Sequence, residues 1–151
     1  MLRKITIEVF SILLIMLFLY AAISKWLNMR AFEKAMYNQP FSHWLATLFI
    51  WTVPATEVII SILLMIKRTQ LIGLKASFIL MCLFTLYIGS ILLHFFPRVP
   101  CSCGGVIQKL NWPQHLVFNL FFILISLWAI LLETGKMPNF KWVYGQKART
   151  A

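Results

Sequence analysis

Charge is scarce in this chain. Only 12% of its 151 residues are Asp, Glu, Lys or Arg, about half the share in an average soluble domain. Only four of these are acidic. Too little charge remains to coat a water-facing surface, so a soluble globular domain is excluded. Common enzyme signatures are missing too: there is no Cys-x-x-Cys, no Gly-rich phosphate loop and no nucleophile elbow. No internal repeat or low-complexity tract interrupts the chain.

What is present is apolar. Hydrophobic residues make up 61% of the chain, and they gather in four runs that each approach the ~20 residues needed to cross a bilayer. The runs are Ile5 to Ile23, about His43 to Ile66, about Leu71 to Leu93, and Trp112 to Leu132. Short connections make neighbouring crossings antiparallel. The expected fold is therefore an all-α membrane protein, an antiparallel four-transmembrane-helix bundle. One transmembrane domain is expected over residues 1–133, followed by a basic cytoplasmic tail over 134–151. Met1-Leu-Arg-Lys before an apolar run also fits the start of a secretory signal. Tyr20-Ala21-Ala22 matches a cleavage site poorly, however, and the run is long and carries Glu8, so a retained helix is expected.

The net charge of +10 would suggest nucleic acid in a soluble protein. Here the basic residues sit at helix ends, which points to lipid headgroups and topology instead, and nucleic acid is set aside. Arg3, Lys4, Lys67, Arg68, Lys75, Lys136, Lys141, Lys147 and Arg149 fall on one side, and Lys25, Arg30, Lys34, Arg98 and Lys109 on the other. The excess on the first side predicts both termini in the cytoplasm of the inner membrane. Trp26, Trp44 and Trp112 then fall at the outer interface. Between the first two crossings, Asn28 to Tyr37 places Met29, Phe32 and Met36 on one helical face. That pattern suits a short surface helix, and Pro40 suits an irregular loop equally well.

The outward connection between the third and fourth crossings holds Cys101-Ser-Cys103-Gly104-Gly105. Pro97 and Pro100 stiffen its approach, and the glycines permit the bend that a disulfide across one residue needs. Such a strained bond tends to be oxidising and labile, and the periplasm permits it. The pair admits redox exchange, a structural staple, or metal binding. Cys82 lies midway along the third crossing, roughly 18 Å from its outer end at helical rise, and is expected to act as a small apolar residue. His115 and Asn119 share a helix face at the start of the fourth crossing. Asn111 suits the N-cap there, Pro113 the first turn and Gln114 the capping-box position. The positive end of that helix would favour a thiolate, and His115 could exchange a proton with it. His115 is thus a catalytic candidate beside Cys101 and Cys103, the alternative being a structural tie with Asn119. Glu57 is an acid inside the second crossing, three residues after Pro54. It would face the bundle interior, as a proton relay, a quinone contact or a structural hydrogen bond between helices. Lys25 is expected to be an interface anchor. His43, His94 and His115 all map near the outer surface, which argues against a haem pair across the membrane.

Lys25, Pro54-x-x-Glu57, Cys101-Ser-Cys103-Gly-Gly and His115-x-x-x-Asn119, set on four crossings, resemble the methylamine-utilisation MauE family, which is related to the DoxX-like membrane proteins. The resemblance covers about residues 1 to 133. It implies a redox-associated inner-membrane protein that helps form or maintain disulfides in the small subunit of methylamine dehydrogenase, alongside a thioredoxin-like periplasmic partner. Such loops often carry an aromatic residue after the second Cys. Gly104 stands there instead, which loosens the link to methylamine more than the link to redox chemistry.

The reading that follows is a thiol–disulfide accessory protein. Cys101 and Cys103 would pass electrons between a periplasmic substrate protein and either a thioredoxin-like partner or a membrane quinone. Two alternatives remain. One is a non-enzymatic DoxX-like subunit of an oxidase or exporter. The other is a Cu(I) handler using Cys101, Cys103 and His115 as soft and borderline ligands. Orientation is testable first. A reporter fused after Ala151 should read as cytoplasmic, and an impermeant thiol reagent should label reduced Cys101 or Cys103 from the periplasmic side of spheroplasts. Labelling only in inverted vesicles would reverse the topology.

Overall fold

The computed structural model describes residues 2–40, 42–93 and 112–135. They form five helices and no strand: α1 (Leu2–Leu27), α2 (Met29–Tyr37), α3 (His43–Met65), α4 (Gln70–Leu92) and α5 (Trp112–Glu133). Four of these, all but α2, are long and apolar enough to span a membrane. The shortest of the four, α5, has 22 residues. At 1.5 Å per residue it reaches about 33 Å, enough for the ~30 Å hydrocarbon layer. The fold is an all-α bundle of the expected class, and the four long helices begin and end within a few residues of the apolar runs. The Cys101–Cys103 connection, His94, Asn111 and most of the 134–151 tail lie outside the described residues, as does the Trp112 side chain.

The burial pattern is that of a bundle solvated by lipid. Leu14, Phe18, Ile60, Leu64, Leu74, Met81, Phe122, Ile125 and Ala129 form the core. Large apolar side chains also cover the outside, among them Ile12, Met16, Trp51, Ile59, Ile79, Leu86, Phe121, Leu124 and Trp128. In water such a surface would aggregate. α1 supplies core residues at Leu14, Phe18 and Ala22.

Between helices the chain uses small residues. Ser61, Ser77 and Ser126 are fully buried. Each hydroxyl donates to the carbonyl four residues earlier, Ser61 to Glu57 at 2.9 Å, Ser77 to Gly73 at 2.8 Å and Ser126 to Phe122 at 2.8 Å. Small side chains let helices approach, and local bonding leaves no hydroxyl unpaired in the apolar phase. The most extensive pairings are α4 with α5 and α1 with α3.

One end of the bundle is tied by polar contacts. Lys67, in the α3–α4 turn, pairs with Glu8 at 2.6 Å. Gln70 donates to Ser11 Oγ at 2.9 Å in a buried contact. Arg3 Nη2 donates to the Glu133 carbonyl at 3.2 Å, where a cation meets the negative end of α5. Gly135 then ends α5 in a left-handed conformation, φ 68°, with its N–H on the Leu132 carbonyl at 3.2 Å. These contacts gather the N-terminus, the α3–α4 turn and the end of α5. The α1–α2–α3 connections and the start of α5 therefore sit at the opposite end. There Asn28–Tyr37 takes the helical alternative: α2 packs against α3 and buries Phe32.

The α3–α4 hairpin is tight at Gly73. A Cβ there would lie 2.9 Å from the Leu64 backbone nitrogen and 3.1 Å from the Leu63 carbonyl carbon. Backbone cannot swing aside as a side chain can. Gly73→Ala should therefore lower the melting temperature in detergent, costing about 1–3 kcal/mol. Gly89→Ala, where a Cβ meets nothing within 4 Å, should leave melting almost unchanged. Equal behaviour of the two variants would contradict the close approach.

Candidate functional site

Helix direction brings two charges together inside the bundle. Side chains on a helix lean toward its N-terminus. Lys25 is near the end of α1, so its stem runs back along the helix into the bundle, and Nζ reaches the Ala21 carbonyl at 3.3 Å. Glu57 lies on the antiparallel α3, so its carboxylate leans the opposite way, toward Lys25. Nζ and Glu57 Oε1 meet at 2.7 Å. Pro54 occupies the preceding turn of α3 on the same buried face. The Phe32 ring from α2 covers the ammonium, 5.9 Å from Nζ to the ring centroid, within cation–π range.

The pair is dry. Lys25 is 7% and Glu57 1% exposed. The expectation that Lys25 anchors the outer interface is therefore corrected. The lysine belongs to the core face of α1, in line with Leu14, Phe18 and Ala22. Glu57 faces the interior as an intramembrane acid should, and its partner is a full cation rather than a neutral hydrogen-bonding group.

A cavity of about 400 Å³ adjoins the pair and is lined from all five helices. Most of the wall is apolar, with Phe18, Phe49, Phe84 and Phe118 among its rings. The polar groups on it are Lys25, Glu57, His115, Asn119, Gln39 and Tyr87. Thus four residues singled out in sequence meet at one place: Lys25, Glu57, His115 and Asn119. His115 and Asn119 are each 3% exposed, on one face of α5 as their spacing requires. Pro113 sits in the first turn of that helix, where its missing N–H costs nothing.

Three side-chain atoms at this cavity are buried with no hydrogen-bond partner among the described residues: Glu57 Oε2, His115 Nδ1 and Asn119 Nδ2. Tyr87 and Gln39 are additions that sequence reasoning missed. The Tyr87 hydroxyl donates to Gln39 Oε1, and Gln39 Nε2 donates to the Ala35 carbonyl at 3.2 Å. They tie the segment after α2 to α4. Nothing in local sequence marks a contact spanning 48 positions. Met36 also lines the cavity.

The other candidates stand apart. Cys82 is half-buried and unbridged on α4. His43 stacks on Tyr37, with ring centroids 4.4 Å apart. Among the described residues no three His, Cys, Asp or Glu side chains gather as metal ligands would. Two members of the Cu(I) set, Cys101 and Cys103, lie outside those residues.

A family model described as "Methylamine utilisation protein MauE" matches residues 3–132. No curated protein and no solved structure matches.

The ion pair makes a specific prediction. Glu57→Leu strands a buried ammonium and Lys25→Met strands a buried carboxylate, so each should cost about 3–5 kcal/mol. The double variant removes both charges and should recover most of that loss. Thermal melts of the four proteins in detergent close the cycle. Single variants as stable as the wild type would show that the pair holds nothing together.

Proposed function

The chain belongs to the MauE family, and from that premise we propose that it is an inner-membrane accessory protein of amine utilisation that exchanges disulfides with periplasmic proteins through Cys101 and Cys103. The observation that carries this reading is the position of His115. It lies at the start of α5, the helix that the Cys-x-Cys connection leads into, and its Nδ1 is buried with no hydrogen-bond partner among the described residues. A titratable group placed there can serve exchange at the adjoining loop.

In the oxidising direction a substrate thiolate attacks one sulfur of the Cys101–Cys103 disulfide. A mixed disulfide forms and the other cysteine leaves as a thiolate, which takes up a proton. A second substrate thiolate then displaces the chain. The substrate gains a disulfide and Cys101 and Cys103 are left as two thiols. His115 is the proton donor and acceptor in this scheme, and the positive end of α5 favours the thiolate. A thioredoxin-like protein is the partner that the family resemblance implies.

The test is trapping. Cys101→Ser or Cys103→Ser should accumulate a mixed disulfide with a periplasmic protein, because exchange passes through that intermediate. The Cys101–Cys103 potential should fall between about −120 and −200 mV, well above the below −300 mV typical of inert secreted disulfides. His115→Ala should slow exchange about 10²-fold while leaving the bond in place. A low potential with no trapped partner, and full function of a cysteine-free loop in the host, would instead support a non-enzymatic membrane subunit.

A further inference from the structure

We propose that the cavity beside Lys25 and Glu57 is a binding site for a lipid-soluble quinone, with its ring oxygens held by Asn119, His115 and Glu57. The volume, about 400 Å³, lies within the ~300–1,000 Å³ of small-molecule sites, and the mix of apolar wall and a few convergent polar groups is typical of them. Five phenylalanine rings on the wall suit a flat ring.

Charge narrows the choice. The Lys25 ammonium and the Glu57 carboxylate already neutralise each other at 2.7 Å. An anionic ligand such as a fatty acid would be pressed against Glu57 Oε2, and a cationic one against Lys25. In this dry setting either carries a heavy penalty, so the ligand is neutral.

The unpaired atoms narrow it further. Asn119 Nδ2 can only donate, so it asks for an acceptor on the ligand. Glu57 Oε2, in the ionised pair, can only accept, so it asks for a donor. His115 Nδ1 can do either, depending on tautomer. An acyl chain satisfies none of the three. A quinone carbonyl accepts from Asn119, and a hydroquinone hydroxyl donates to Glu57 or His115. The site therefore has a hydrogen-bond partner for each redox form. The ligand reaches it from the bilayer in which the bundle is dissolved.

Binding stands on the cavity alone. Its coupling to the cysteines rests on the exchange reading above. In that step Cys101 and Cys103 form an S–S bond and give up two electrons and two protons. The bound quinone takes up both and becomes the hydroquinone.

The experiment is calorimetric titration of the full chain in detergent with a ubiquinone bearing one isoprene unit, with dodecanoic acid as competitor. Saturable one-site binding is expected, unaffected by dodecanoic acid. Asn119→Leu should weaken it about tenfold, the loss of one hydrogen bond. Val53→Phe, which fills the cavity without touching its polar groups, should weaken it at least as much and guards against misfolding of the first variant. Cys101→Ser/Cys103→Ser should bind as the wild type does. That variant separates the two ideas: its quinone binding tests the site without the cysteines, while failure of the single variants Cys101→Ser and Cys103→Ser to trap a mixed disulfide would refute the exchange reading and leave the site standing. Non-saturable uptake, displacement by dodecanoic acid, or wild-type affinity in both Asn119→Leu and Val53→Phe would overturn the quinone site.

Discussion

Everything at the cavity end of this bundle depends on a lysine and a glutamate that neutralise each other in the protein interior. Neither could stay there alone. An isolated charge in hydrocarbon is costly enough to drag its helix toward the surface or to neutralise itself. Paired at 2.7 Å, the two fix α1 against α3 in depth and in rotation. A purely apolar seam can slide by a turn with little penalty. An ion pair cannot, because sliding it strands both charges. Burial of such a pair is poor value as a source of stability, since desolvation offsets much of the attraction. Its contribution here is registry. Rotation of α1 then places Phe18 and Ala21 on the cavity wall, and rotation of α3 places Phe49 and Val53 opposite them.

The two ends of the bundle use charge in opposite ways. At the end where α1 begins and α5 ends, Lys67–Glu8 and Arg3 on the Glu133 carbonyl are exposed contacts. Solvent screens such contacts, and they contribute little. The headgroup region tolerates them at almost any register. At the other end Arg30 and Lys34 stay exposed on α2, but the Lys25–Glu57 pair is withdrawn into the protein, under the Phe32 ring. α2 is the element that makes this feasible. Its phenylalanine lies over the ammonium, and the segment just after it is tied to α4 through Gln39 and Tyr87.

Much of this was legible in sequence, for a physical reason. A lipid-spanning helix must be apolar over its whole length, so composition alone marks its ends, and all four long helices were found that way. The His115 and Asn119 face was legible too, because a four-residue spacing forces two side chains onto one side of a helix whatever lies around it. The partner of Glu57 was harder to see. The pairing spans 32 positions and depends on the rotation of two helices, which local pattern does not encode. Yet a signal was available. Lys25 continues the core stripe of Leu14, Phe18 and Ala22, and a lysine on that stripe points inward. Position along the chain suggested an interface anchor, and the stripe outweighs position. The cavity was not legible at all. It is what remains when five helices of particular shapes fail to close, and no single segment carries that information.

The distribution of unmet hydrogen bonds separates a packing defect from a built site. A bundle with careless polar burial would scatter unpaired atoms along its seams. The seams here carry Ser61, Ser77 and Ser126, and each is satisfied within its own helix. Among the described residues, all three buried unpaired side-chain atoms belong to Glu57, His115 and Asn119, and all three residues line one cavity. Each such atom costs about 1–3 kcal/mol when left unmet, a large sum for a fold whose net stability is of order ten. Local consistency everywhere else, with conflict confined to one place, is the pattern expected where structure yields to function. A ligand that meets these atoms would turn that cost into binding free energy, and the cavity would then contribute to the stability of the bundle rather than weaken it.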